Sequence, residues 1–217
     1  MCLRATRRLT WNAQYCRIGE DIRGPGMEPP AEPPAARRVR VDLADLALAF
    51  DDASWEASTF LDLDTGEVIR ITAELRDELE AIYPELPEEP ADEASYRSAF
   101  AAALERRELP DWMDALLIEA DAVERSLGTR FLGVPEADSR DGYEDMHAFS
   151  GSVSRPRLQE QLWAAIRGPG AFRRFKDVLA SAPTDRERWF AFKDDRLRQR
   201  VLAWLADEAI ELAEGSG

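Results

Sequence analysis

The chain has 217 residues, 45% of them hydrophobic and 9% aromatic, and a formal net charge of -15. That is enough for one well-buried core or two small lobes; no run approaches the ~18 apolar residues of a transmembrane helix, and the acidic balance disfavours general nucleic-acid affinity. Cys2 and Cys16 are the two cysteines, both near the N-terminus, which argues against a disulfide framework, a cysteine-based metal centre and a cysteine nucleophile.

Charge is unevenly spread. Residues 1–26 carry +3, residues 27–154 carry -20, residues 155–200 carry +6 and residues 201–217 carry -4. The N-terminal stretch holds Arg4, Arg7, Arg8 and Arg17 without an apolar core, so it does not read as a secretory signal. Gly24-Pro25-Gly26 and the Pro29, Pro30, Pro33 and Pro34 run suit neither helix nor sheet. Residues 1–38 therefore read as a disordered basic and proline-rich extension, with Met1 and Met27 both open as the true start. A single domain is expected over 39–212, divisible into an acidic lobe at 39–128 and a helical lobe at 129–212.

Asp42 is placed to cap a helix bearing Leu43, Leu46, Ala47 and Phe50. Leu61/Leu63 and Val68/Ile69/Ile71 flank Asp64-Thr65-Gly66, which predicts a β-hairpin with Gly66 at positive φ. Thr72 caps the next helix, with Leu75, Leu79 and Ile82 on its face. Pro84, Pro87 and Pro90 end it in an acidic connector. Helices follow at about 92–107 and from Pro110, the latter presenting Trp112, Leu116, Val123 and Leu127 and stopping at Gly128 as a C′ residue. Arg130–Val134 reads as a short strand able to join the hairpin. The remainder is helical, at about 141–151, 157–167, 171–181 and 185–212. The fold class is α+β, mostly helical, with a small antiparallel sheet built on a hairpin near 59–72.

Three stretches bear on chemistry. Asp141, Glu144, Asp145 and His147 gather three carboxylates with the lone histidine. A Glu-x-x-His pair suits a di-iron bundle only with a second pair, which is missing, and a zinc site lacks ligands. Asp141 with Glu144 reads better as a helix cap and capping box. The second stretch is Arg167-Gly168-Pro169-Gly170, followed by Phe172, Arg173, Arg174, Phe175 and Lys176. An exposed helix N-terminus there favours anions, making Arg167, Gly170, Arg173, Arg174 and Lys176 an anion-site candidate. No phosphate-loop pattern supports it. The competing reading is a corner anchored by Phe172, Phe175 and Leu179, its cations turned outward toward the protein's own acidic lobe. In the third, Thr184 and Glu187 form a capping box ahead of an apolar stripe of Phe190, Leu197, Val201, Trp204 and Leu205.

The hairpin Phe60–Val68, the segment Asp141–Met146, and the pair Gly170–Asp177 with Arg188–Asp195 resemble a bacterial protein family without an assigned function. The resemblance spans about residues 41–206 and is most specific in the C-terminal third. It implies a shared fold and transfers no catalytic residue. The reading is a cytoplasmic interaction or regulatory protein rather than an enzyme, with no cofactor, no metal and no membrane. A protein partner and a homodimer both stay open; nucleic acid is disfavoured. The alternative is phosphate-ligand or nucleic-acid binding by the 155–200 block, and a third reading is an enzyme using the 141–147 carboxylates and His147.

Overall fold

Local chemistry starts most of the elements. The computed structural model describes residues 36–52 and 56–213, and the expected extension lies almost wholly outside them. Strand β1, Arg37–Val39, opens the described chain, so regular structure begins two residues before the expected boundary. Helix α1, Leu43–Asp51, starts where Asp42 Oδ1 accepts from the amides of Ala44 at 2.8 Å and Asp45 at 3.2 Å. That satisfies two amides with no partner inside the helix.

Strands β2, Ala57–Asp62, and β3, Val68–Thr72, form the hairpin. At its turn Gly66 has φ 79°, and a Cβ there would stand 1.7 Å from the Arg40 carbonyl oxygen. Only glycine fits. Thr72 caps α2, Ala73–Ile82, through the Leu75 amide, and a 3-10 turn at Tyr83–Glu85 follows. Asp92 caps α3, Glu93–Arg107. Helix α4, Asp111–Arg125, has no side-chain cap.

Strand β4, Phe131–Gly133, pairs with β2 and completes a three-stranded antiparallel sheet of order β3-β2-β4. Gly128 has the expected positive φ, 78°. Its N–H donates to the Phe131 carbonyl, so it shapes the turn into β4 two residues beyond the helix cap at Ser126.

Four helices follow: α5, Ser139–Ser152, α6, Pro156–Ala165, α7, Ala171–Ala180, and α8, Pro183–Asp207. Strand β5, Ile210–Leu212, then pairs in parallel with β1, Arg37 opposite Ile210. This second sheet has no local signature, because its strands are three residues each and far apart in sequence.

Two cores result. One joins α5 to the first half of α8: Met146, Phe149, Leu158, Leu162, Ile166, Phe175, Leu179 and Trp189. Its centre is aromatic, with the Phe175 and Trp189 centroids 4.8 Å apart and Phe149 5.2 Å from Trp189. The other core joins Val39, Val41, Leu43, Leu46, Leu61 and Leu63 to Val201, Leu205 and Ile210. Helix α8, 25 residues and about 37 Å long, serves both. The expected lobe boundary at 128 does not separate them.

Several expectations are corrected. Trp112, Phe172 and Phe190 are 62%, 44% and 55% exposed. Leu117 and Ala120 join the expected Val123 on the buried face of α4, and Ala171 takes the buried place beside Phe175 and Leu179. Asp138, not Asp141, caps α5, accepting from the Arg140 amide at 2.8 Å. Thr184 does not cap α8, whose first turn holds Pro183 after an Ala182 cap with no side-chain bond. Proline lacks the amide a cap would satisfy.

Candidate functional site

The three stretches singled out in the sequence prove largely self-satisfied. In the 141–147 segment, Asp145 is 1% exposed. It accepts from Arg196 Nε at 2.9 Å and from Arg200 at 2.8 and 3.1 Å. Burial pushes its carboxyl up, but the hydrogen bonds from Arg200 and Arg196 outweigh it and hold the group below its ordinary value. Asp141 lies 3.8 Å from Arg200, and Glu144 accepts from Arg140. His147 packs edge-on against Trp163, centroids 4.6 Å apart. Among the described residues no cluster of three or more His, Cys, Asp or Glu could hold a metal ion.

At the α6–α7 corner, Gly168 and Gly170 have φ 75° and 77°. Arg174 turns inward. Its Nε donates to the Ala165 carbonyl at 3.0 Å, and its terminal nitrogens donate to Arg167, Gly168 and Pro169 carbonyls. Ala165 is the last residue of α6, whose carbonyl has no partner further along the helix, and the other three carbonyls belong to the corner that follows. The expectation that three cations face outward is thereby corrected: Arg174 is a helix cap. Arg167, Arg173 and Lys176 are exposed and form no ion pair among the described residues. Gly170 is the N-cap of α7 and brings no side chain.

The third stretch is bound up with acids. Arg155 and Arg188 hold the buried Asp185, and Lys193 reaches Asp51 at 2.7 Å. Trp189 is buried in the aromatic core. Pairing of basic-block residues with acids from 27–154 thus occurs at Lys193, Arg196 and Arg200.

Two concave regions went unseen in the sequence. The larger is a groove of about 950 Å³ between the start of α1, the hairpin and one side of α4. Val41, Ala44, Val68, Ile69 and Leu116 supply apolar wall; Asp42, Asp45, Glu67 and Glu119 outnumber Arg40 and Arg70. Asp52 holds Arg70. Burial pushes the Glu119 carboxyl up, and the charges of Glu67 and Asp62 add to it. A smaller hollow of about 240 Å³ continues past Leu48 and Ala49.

The other is a cleft of about 530 Å³ between α3 and α4. Two bridges close one end. Arg125 grips Glu93 with both terminal nitrogens, and the Tyr96 hydroxyl donates to Asp121 Oδ1 at 2.6 Å. Hydrogen bonds from Arg125 and then Arg97 hold Glu93 at about 2. Burial pushes Asp121 up; Tyr96 and Arg125 only partly oppose it. The Tyr83 hydroxyl lies near Asp121, outside hydrogen-bonding geometry, and is pushed up by burial and that charge. Nearby Glu124 has Oε2 buried with no hydrogen-bond partner and is likewise raised by burial. A run of Tyr and Glu could have signalled such a cluster only with knowledge of how α3 meets α4.

Residues 111–215 match the model of an uncharacterised protein family, UPF0158. The chain is also 26% identical, over 178 residues, to a UPF0158 protein of Pseudomonas aeruginosa, covering 82% of this chain and 88% of that one. No solved structure matches. The resemblance read in the sequence therefore holds: the chain is similar to an uncharacterised family, and no function comes with it. The family model begins at Asp111, the first residue of α4, while the 178 residues matched in the relative carry the similarity into the N-terminal half as well.

Proposed function

We propose that this protein acts by binding rather than catalysis, docking a basic, apolar-bearing segment of a partner protein in the α1–hairpin groove. The carrying observation is the groove itself, about 950 Å³ with apolar walls and a carboxylate excess on its rim. It lies in the stretch 27–154 that carries -20. Glu119, raised by burial and by Glu67 and Asp62, gains from an arriving Lys or Arg, since an opposite charge favours the ionised carboxylate against both. Leu48, 71% exposed, extends the apolar surface. His147 against Trp163 and the engaged 141–147 carboxylates support a non-enzymatic reading. No described helix is long and apolar enough to cross a membrane, and the cysteine usage favours the cytoplasm.

The test is fluorescence anisotropy with a labelled amphipathic Leu/Lys peptide and its Leu/Glu counterpart. The Leu/Lys peptide should bind, with affinity falling as salt rises. Glu67→Lys with Glu119→Lys should weaken it at least about tenfold, whereas Asp194→Lys with Asp195→Lys on exposed α8 should not. Equal binding of the Leu/Glu peptide, or indifference to the groove reversal, overturns the proposal.

A further inference from the structure

The α3–α4 cleft is separate from the docking groove and is built differently. Its volume, about 530 Å³, lies in the range of small-molecule sites. One wall is the near-parallel pair Tyr96 and Phe100, centroids 6.2 Å apart and planes 17° apart. The other wall is Ile118 and Ala122. This is a slot suited to a flat apolar body.

Its polar groups are almost all engaged. Arg97 and Arg125 hold Glu93. Arg130 holds Asp62 at 3.1 and 2.6 Å. The Arg125 guanidinium also covers the Tyr96 ring, 3.9 Å from its centroid. The exception is Asp121, 7% exposed. Its Oδ1 is taken by Tyr96. Its Oδ2 has Arg125 at 4.0 Å, beyond hydrogen-bonding distance. The Tyr83 hydroxyl nearby makes no hydrogen bond, so this buried aspartate keeps acceptor capacity at Oδ2 beside an apolar slot.

We propose that the cleft binds a small organic amine with a flat apolar body, its ammonium donating to Asp121 Oδ2 and its ring lying between Tyr96–Phe100 and Ile118–Ala122. A cation is favoured because the carboxylate is poorly solvated where it stands, and a charged donor compensates it. An anionic ligand meets the opposite situation: the arginines at the mouth already serve Glu93 and Asp62, and Asp121 repels it.

Calorimetric titration of the full chain tests this with phenethylamine and, as the acid of similar shape, 3-phenylpropionate. The amine should bind saturably, with Kd on the order of 0.1–1 mM for a ligand of so few atoms, and the acid should not. Asp121→Asn should weaken the amine about tenfold or more. Ala122→Phe, which fills the slot, should abolish binding with the helical circular dichroism retained. Equal binding of the acid, amine binding indifferent to both substitutions, or no saturation by about 10 mM each overturns the proposal.

Discussion

Asp145 on α5 and Asp121 on α4 are both buried aspartates on amphipathic helices, and their surroundings treat them in opposite ways. Asp145 receives three hydrogen bonds from two arginines of α8, and its carboxyl is held low. Asp121 receives one from a tyrosine, and its carboxyl is pushed up. Around Asp145 the helices close on an aromatic core. Around Asp121 they stand apart and leave a cleft. Burial alone decides nothing; what differs is whether each lone pair has a donor. The C-terminal helical region has spent its polar groups on itself, while the α2–α4 region keeps some in reserve.

The largest expected effect comes from breaking the closed side. Asp145→Ala leaves Arg196 and Arg200 facing each other without their acceptor and should cost about 3 kcal/mol, read by urea denaturation. Phe149→Ala, in the centre of the same core, should cost a comparable 3–4 kcal/mol, roughly. On the open side the sign should reverse. Asp121→Asn removes a raised, poorly solvated charge while keeping an acceptor for Tyr96, and should be neutral to stabilising, within about 1 kcal/mol. If Asp121→Asn destabilises as much as Asp145→Ala, the contrast drawn between the two regions fails.

Acid should sharpen the contrast. The native carboxyl of Asp145 lies below the ordinary 3.8, so its contribution is fully present above that value and is lost as pH falls through the native one. Asp121 is the reverse. Its native carboxyl lies above 3.8, so its burden is greatest above the native value and is relieved as pH falls through it. The stability difference between Asp121→Asn and wild type should therefore shrink on going from neutral to mildly acidic pH. The difference between Asp145→Asn and wild type should persist until below 3.8. Paired denaturation curves across that range check both signs.

What the sequence made legible follows the same divide between local and tertiary causes. The caps at Asp42 and Thr72 are readable because a cap side chain bonds to an amide two or three residues on. Gly66 is readable because the hairpin turn demands positive φ there. Asp138 and Asp141 both stand at the start of α5, one as its cap and one in its first turn, and periodicity does not choose between them. Spacing assigns Phe172 to the core, yet its ring lies over Gly142, where a Cβ would stand only 2.8 Å away. The β1–β5 pair and the Tyr96–Asp121 bridge join residues whose proximity only the tertiary fold creates. The groove was invisible for that reason too, although the acidic stretch that rims it was plain from charge alone.

Neighbouring arginines on α7 give the smallest and most local test. Arg174 donates to the last carbonyl of α6 and to three carbonyls of the corner after it; Arg173 is exposed and forms no ion pair among the described residues. Arg174→Ala should cost about 1–2 kcal/mol, because acceptors at the helix end lose a charged donor. Water replaces it in part, which keeps the effect below that at Asp145. Arg173→Ala should change stability by less than about 0.5 kcal/mol. Equal effects at the two positions would mean that the α6–α7 corner is held by its glycines and apolar anchors alone. The inward turn of Arg174 would then add nothing to the closed character of this region.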